Sequence, residues 1–166
     1  MGRNDKAYGF EQKFKEDYLK AFPKALCFKI PNQMSGFYNV NNLADFLCFD
    51  SERLYFIDCK AHNGASFPFD AFPQFDRLLS LEHIPKIVTG VALWLYDKDR
   101  VFFIPTITID RMKRDGIKSF NPDKVPKHKY YYLNIPSVKL RTYMNSDYTV
   151  LKNVPENEEL RSWGNK

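Results

Sequence analysis

The apolar pattern in the first third of the chain predicts one helix followed by strands. Over residues 10–22 the bulky apolar side chains recur at helical spacing, and Pro23 ends the predicted helix. Residues 32–42 are rich in Asn and contain a glycine, which indicates a loop. The turn-like sequence DSE at 50–52 predicts an antiparallel hairpin between the runs on either side of it. The predicted strands are the short apolar runs at 25–31, 43–49 and 53–60.

The rest of the chain continues with alternating helix and strand patterns. The predicted elements are a loop at 62–68, a helix at 70–83 with Pro73 in its first turn, strands at 87–96 and 100–105, a helix at 108–116 and a strand at 130–135. The run at 87–96 is apolar almost throughout, as in a strand buried on both faces. The element order therefore predicts an α/β fold with a mixed sheet flanked by helices.

Length and composition indicate one domain. The chain has 166 residues, 44% of them hydrophobic, without an internal repeat or a Gly/Ser linker. We expect a single domain over 1–152 and a polar, loosely held C-terminal tail over 153–166. No apolar stretch approaches the roughly 20 residues of a membrane span, and no signal-peptide core follows the N-terminus, so we expect a cytoplasmic protein with no membrane partner.

The charge of the chain indicates a class of partner, and its cysteines indicate the state of its thiols. The net charge of +5 and pI near 9.0 favour a polyanionic partner. Basic residues concentrate in 111–129, which is either a phosphate-binding arm or an exposed solubilising stretch. Cys27, Cys48 and Cys59 form no CxxC pair, which argues against zinc and for buried, reduced thiols.

The clearest chemical signal lies at the end of the strand 53–60. Asp58 and Lys60 are two positions apart on a strand, so both side chains leave the same face. Asp45 stands inside the preceding apolar strand, where a carboxylate is costly unless it is paired or binds a cation. Hairpin pairing brings Asp45 close to Asp58, which predicts an Mg²⁺ phosphodiesterase site. A solvated surface pair remains the alternative for Asp58 and Lys60.

These motifs resemble those of PD-(D/E)xK nucleases. Ala44-Asp45 followed by DCK at 58–60 resembles the nuclease pattern, and YFIDCKA at 55–61 with FPFDAF at 67–72 resembles RecU-type Holliday junction resolvases and their phage-borne relatives. The resemblance spans roughly residues 10–105. It implies a restriction-endonuclease-like mixed β-sheet flanked by helices, Mg²⁺ or a substituting Mn²⁺, and a C2 homodimer in a bacterial or phage-infected cell. The implied activity is resolution of four-way DNA junctions by paired symmetric nicks.

The resemblance also implies roles for individual residues. Asp45 and Asp58 would bind the metal, and Gln74 would complete its site. Lys60 would orient or deprotonate the attacking water, or stabilise the phosphate charge. Glu11 resembles the helical Glu of this nuclease fold, and a solvated helix charge is its alternative. The candidate DNA-binding residues are Lys29, on a basic strand segment, His62, Arg111, Lys113 and Arg114.

Four departures from the RecU pattern leave other functions open. Asp58 stands where the family usually has Glu, Leu43 stands in place of a Thr, Gln74 falls about two positions early, and residues 30–44 are shorter than the family's inserted stalk. One alternative is a phage or mobile-element endonuclease that acts on duplex or flapped DNA. The other is a non-catalytic DNA-binding relative.

Overall fold

The computed structural model of the chain describes residues 2–31 and 42–165. The predicted loop at 32–42 lies outside the described residues, except for Asn42. The helices are α1 Arg3–Ala21, α2 Phe75–Leu79, α3 Thr106–Arg114 and α4 Asn157–Arg161, with 3-10 helices at Phe69–Ala71 and Tyr148–Asn153. The strands are β1 Leu26–Lys29, β2 Phe46–Phe49, β3 Leu54–His62, β4 Phe67–Pro68, β5 Ile87–Leu95, β6 Arg100–Pro105, β7 Ser119–Phe120, β8 Leu133–Ile135, β9 Ser137–Lys139 and β10 Met144–Ser146.

A mixed six-stranded sheet organises these elements. Its strand order is β1-β2-β3-β5-β6-β8, and β3 pairs with β5 in parallel while the other neighbours are antiparallel. The predicted hairpin at 43–49 and 53–60 is confirmed as β2 and β3. Strand β5 is buried along nearly its whole length, as its continuous apolar sequence predicts.

Helices cover both faces of the sheet and form two apolar clusters. On one face Phe10, Phe14 and Tyr18 of α1 pack against Tyr55, Ile57 and Cys59 of β3, among other residues. On the other face α2 and α3 pack over β5 and β6. Phe56 belongs to this second cluster, so the alternation of a strand places Asp58 and Lys60 on the same face as α2 and α3.

The predicted helix at 70–83 is wrong in its extent. The structure divides this segment into the 3-10 turn Phe69–Ala71 and the five-residue α2, with turns after it. Phe72 adopts φ −120° and ψ 75°, outside the helical region. Because proline disfavours the α conformation in the residue before it, Pro73 separates the two pieces.

The chain ends also differ from the expectation. Helix α1 begins at Arg3, well before the predicted start at Phe10. The segment from Asn153, expected to be a loosely held polar tail, forms α4 and buries Val154 and Leu160. These two side chains belong to the apolar cluster under α1 and attach the segment to the rest of the domain. No helix among the described residues has the length and apolarity needed to cross a membrane.

Candidate active site

The β2–β3 hairpin brings Asp45 and Asp58 together. Phe46 pairs with Ile57 in the hairpin, and the next position in this register pairs Asp45 with Asp58. Asp45 Oδ2 accepts a hydrogen bond from the Cys59 backbone N–H at 2.7 Å, which fixes its carboxylate against β3. The two acids therefore lie beside each other at one end of β2, as the hairpin spacing predicts.

Asp58 is a fully buried carboxylate with few compensating contacts. Its relative exposure is 0%, and neither oxygen accepts a hydrogen bond of good geometry from residues 2–31 or 42–165. Lys60 Nζ lies 3.1 Å from Asp58 Oδ2, which makes an ion pair by distance although the angles do not form a hydrogen bond. Burial raises the pKa of Asp58 to about 7, the charge of Asp45 adds to this rise, and Lys60 opposes it.

Lys29 and Glu11 join the two acids from the side of the sheet that α1 covers. Lys29 Nζ lies 2.7 Å from Glu11 Oε2 and 3.3 Å from Asp45 Oδ1. The Ile30 N–H donates to the Asp45 carbonyl at 2.8 Å and aligns the end of β1 with the start of β2. We refer to Glu11, Lys29, Asp45, Asp58 and Lys60 as the acid–lysine cluster.

The electrostatics of Glu11 and Lys29 follow from their partial burial. Burial raises the pKa of Glu11, and the hydrogen bond from Lys29 only partly opposes it. Burial alone would lower the pKa of Lys29, but the carboxylates of Glu11 and Asp45 outweigh it and raise the pKa. Lys29 is therefore a firmly charged cation beside two acids. From the sequence Lys29 was expected only as a DNA contact, although its position at the end of the strand next to Asp45 is a signal for its place in this cluster.

Gln74 and His62 lie beside or on elements that flank the cluster. Gln74 immediately precedes α2, and its Oε1 is buried and accepts no hydrogen bond from the described residues. His62 ends β3, and its ring meets the edge of Phe67 with centroids 5.7 Å apart. Their roles in metal and DNA binding stay predictions.

The basic residues of α3 have partners of their own. Arg111 donates to the Trp163 carbonyl and to Asn165 Oδ1, which ties α3 to the C-terminal segment. Lys113 Nζ lies 3.9 Å from the centroid of the Phe75 ring. Arg114 pairs with Asp110 at 2.9 Å and remains largely exposed. Lys113 and Arg114 thus stay accessible for a phosphate, whereas the hydrogen bonds of Arg111 are structural.

The cluster offers oxygen donors that suit a hard divalent cation. The part of the chain that the structure describes holds no group of three His, Cys, Asp or Glu side chains arranged to bind a metal. Mg²⁺ is usually held by one or two carboxylates and keeps several waters, so Asp45 and Asp58 meet its requirement. The Asp58 oxygens are the observation that fits a cation, because a buried carboxylate that accepts no hydrogen bond from the described residues is costly even beside the Lys60 ammonium.

Comparison with known proteins identifies a similar fold. The sequence matches no protein-family model and none of the curated proteins searched. The structure is similar to that of Hjc, a Holliday junction resolvase from the archaeal hyperthermophile Archaeoglobus fulgidus, with a TM-score of 0.52. The two share 13% sequence identity over 70% of this chain and 88% of the archaeal one. At this identity the similarity concerns the fold, and the RecU type stays a prediction. The chain therefore has the α/β fold, restriction-endonuclease-like, that its sequence predicts.

Proposed function

We propose that this protein is a metal-dependent endodeoxyribonuclease that resolves four-way DNA junctions. The carrying observation is a buried Asp58 beside Asp45 and Lys60, whose carboxylate has no hydrogen-bond donor in the part of the chain that the structure describes. Burial of such a charged group costs free energy, and this arrangement is typical of a site that binds a cation. The similarity in fold to a Holliday junction resolvase supports nuclease chemistry on the same sheet.

The residues of the cluster divide the chemistry between them. A divalent metal held by Asp45 and Asp58 would polarise the scissile phosphate and lower the pKa of the attacking water. Lys60 lies beside Asp58 and can orient that water or stabilise charge on the phosphate. Lys29 holds the carboxylates of Glu11 and Asp45 and reduces the negative charge that an approaching phosphate meets.

Branched DNA is the proposed substrate. Both resemblances point to it: the RecU-like motifs of the sequence and the name of the archaeal protein of similar fold. The net charge of +5 favours a polyanion, and exposed cations on α3 lie on the same face of the sheet as Asp58 and Lys60. Two symmetric nicks need two sites related by a two-fold axis, so we propose a homodimer.

The test compares cleavage of a labelled four-way junction with cleavage of a matched linear duplex. Each is incubated with wild type, Asp45→Asn, Lys60→Ala and Glu52→Gln, with Mg²⁺ and with EDTA. Glu52 is the matched control because it is an exposed acid in the turn between β2 and β3. We expect Mg²⁺-dependent, symmetric nicks on the junction from wild type and Glu52→Gln. We expect Asp45→Asn and Lys60→Ala to lose at least about 100-fold in rate.

The binding measurement separates the alternative functions. Asp45→Asn should bind the junction as tightly as wild type or more tightly, because it removes a negative charge near phosphate. Cleavage of both substrates would indicate a general endonuclease for duplex or flapped DNA. Junction binding without cleavage by wild type would indicate a DNA-binding protein with an inactive site. Unchanged cleavage by Asp45→Asn would refute the assignment of the metal site.

A further inference from the structure

Two of the three cysteines face each other across β1 and β2. Cys27 and Cys48 are direct partners in the antiparallel register, and their sulfur atoms are 3.6 Å apart. Both belong to the apolar cluster under α1. Cys59 lies on β3, four residues beyond the register partner of Cys48, or roughly 13 Å along the strand. The close contact is therefore specific to Cys27 and Cys48.

The backbone between these strands has the geometry that a cross-strand disulfide needs. The Ile30 N–H donates to the Asp45 carbonyl. Ile30 and Asp45, the pair next to Lys29 and Phe46 in the register, are therefore a hydrogen-bonded pair. Hydrogen-bonded and non-hydrogen-bonded pairs alternate, which makes Cys27 and Cys48 a non-hydrogen-bonded pair. Cα atoms in such pairs are about 4.5 Å apart, within the range of about 4.4 to 6.8 Å that disulfides span.

We propose that Cys27 and Cys48 are a redox-active thiol pair that forms a disulfide between β1 and β2. The oxidant is a low-molecular-weight disulfide. The Cys27 thiolate attacks one sulfur of the oxidant, and a small thiol leaves. The Cys48 sulfur then attacks Cys27 Sγ, loses its proton, and releases the second small thiol. The protein loses two electrons and two protons, and the oxidant gains both, so the exchange balances.

The surroundings decide which thiol reacts first. Cys27 lies on an edge strand and retains slight exposure, whereas Cys48 is fully buried. The hydrogen bond from the Cys48 thiol lowers the pKa of Cys27, and burial and the same contact raise the pKa of Cys48. Cys27 is accordingly the attacking thiol and Cys48 the resolving one.

The crosslink would act on the strands that carry part of the acid–lysine cluster. Lys29 follows Cys27 on the same face of β1, and Asp45 lies just before β2. Closing the sulfur distance from 3.6 Å to about 2.05 Å draws the two strands together at this point. The disulfide therefore holds β1 and β2 in one relative position. This inference does not depend on nuclease activity, because its test measures mass and thiols.

The experiment treats the folded, full-length protein with oxidised glutathione, then unfolds it, blocks the remaining thiols with iodoacetamide, and measures the intact mass. Oxidised wild type should remain a monomer and carry one alkylated cysteine instead of three. After allowance for the alkyl groups, its mass should be 2 Da below that of the reduced protein. Cys59→Ser is the matched control, since it keeps the pair and should also lose 2 Da. Cys27→Ser and Cys48→Ser should not. A 2 Da loss in Cys48→Ser, or three free thiols in treated wild type, would overturn the proposal.

Peptide mapping keeps the test decisive if a variant fails to fold. Lys24, Lys29, Arg53 and Lys60 are tryptic sites, so Cys27, Cys48 and Cys59 fall in the separate peptides 25–29, 30–53 and 54–60. Oxidised wild type should yield peptide 25–29 linked to peptide 30–53. A link that includes 54–60 would contradict the assignment. The oxidised protein should also melt roughly 5 °C higher, because the bond closes a loop between residues 21 apart.

Discussion

At the scale of single residues, Asp58 is the group whose environment conflicts most with its charge. Its carboxyl is buried, lies beside Asp45, and among the described residues has the Lys60 ammonium as its compensating cation. Natural active sites commonly retain such unfavourable arrangements because function requires them. The conflict therefore has a measurable thermodynamic consequence in the metal-free protein.

We predict that Asp58→Asn stabilises the metal-free protein at pH 8. The folded pKa of Asp58, about 7, is above its ordinary value of 3.8, so the folded state prefers the protonated carboxyl. The free energy of unfolding of wild type therefore falls as the pH rises from about 4 to about 7, and the whole penalty is present above that range. The variant cannot ionise there. In EDTA its urea unfolding should show a gain on the order of 2 kcal/mol at pH 8, shrinking towards pH 4.

Two controls accompany the Asp58 measurement. Glu52→Gln removes an exposed carboxylate and should leave the unfolding free energy within about 0.5 kcal/mol of wild type. Addition of Mg²⁺ should stabilise wild type, since a ligand that binds only the folded state raises its stability, and should not stabilise Asp58→Asn. A loss of stability in Asp58→Asn at pH 8 would show that the carboxylate is compensated by contacts other than those described.

At the scale of secondary-structure elements, Arg53 joins the start of β3 to the C-terminal segment. Its guanidinium is buried and donates to the carbonyls of Leu151, Lys152 and Val154 at 3.1, 3.2 and 2.5 Å. Carbonyls at the end of a 3-10 helix have spare acceptor capacity that a cation can satisfy, and here the Leu151 carbonyl also accepts the Val154 N–H. These contacts order a segment whose own sequence is mostly polar.

We predict that Arg53→Met destabilises the protein by about 2–4 kcal/mol. The change removes a charged donor from three carbonyls, of which Leu151 keeps a backbone donor from Val154. Leaving the Lys152 and Val154 carbonyls without the guanidinium costs more than an ordinary lost hydrogen bond. Urea unfolding at pH 7 measures the loss, and faster proteolysis after Asn153 should accompany it. Lys86→Ala is the comparison, because Lys86 pairs with Glu156 of the same segment at 3.1 Å but in an exposed position. That variant should lose less than about 1 kcal/mol, and an equal loss in both would contradict the argument.

At the scale of the whole molecule, an apolar surface lies on the opposite face of β1 and β2 from the cysteines. Leu26, Phe28 and Phe49 are 51%, 51% and 44% exposed, and Leu26 is the register partner of Phe49. Among the described residues β1 is an edge strand of the sheet. Exposed apolar side chains grouped at a sheet edge are typical of an interaction surface. We expect the second copy of the proposed homodimer to pack here, because this surface adjoins the strands that carry Asp45 and Asp58.

We predict that Phe28→Glu shifts the dimer to monomer. In a two-fold interface the substitution introduces one negative charge from each copy. The two charges repel each other and lose water on association, so the dissociation constant should rise at least tenfold. Light scattering after size exclusion measures the mass across a range of concentrations. Val138→Glu is the control, since Val138 is also exposed but lies on β9 in a separate small sheet. Wild type that remains monomeric at high concentration, or a dimer unaffected by Phe28→Glu, would refute the interface.

Local sequence patterns were sufficient to predict the hairpin and the pair of acids that it brings together. Alternation along a strand and the length of the turn fix register locally, so Asp45 and Asp58 were predicted to be neighbours and are. The buried strand β5 followed from its continuous apolar run for the same local reason. The predicted fold class is confirmed by the mixed sheet and by the similarity to the archaeal resolvase.

The contacts between elements distant in sequence could be known only from the tertiary structure. Lys29 bridges Glu11 of α1 and Asp45 because α1 packs across β1 and β3, and no local pattern encodes that packing. The burial of Asp58, and hence its raised pKa, depends on the helices that cover β3. The order of the C-terminal segment depends on Arg53, a hundred residues earlier in the chain. Long-range contacts supply these properties because burial and charge pairing depend on neighbours in space, whereas turns and strand register depend on neighbours in sequence.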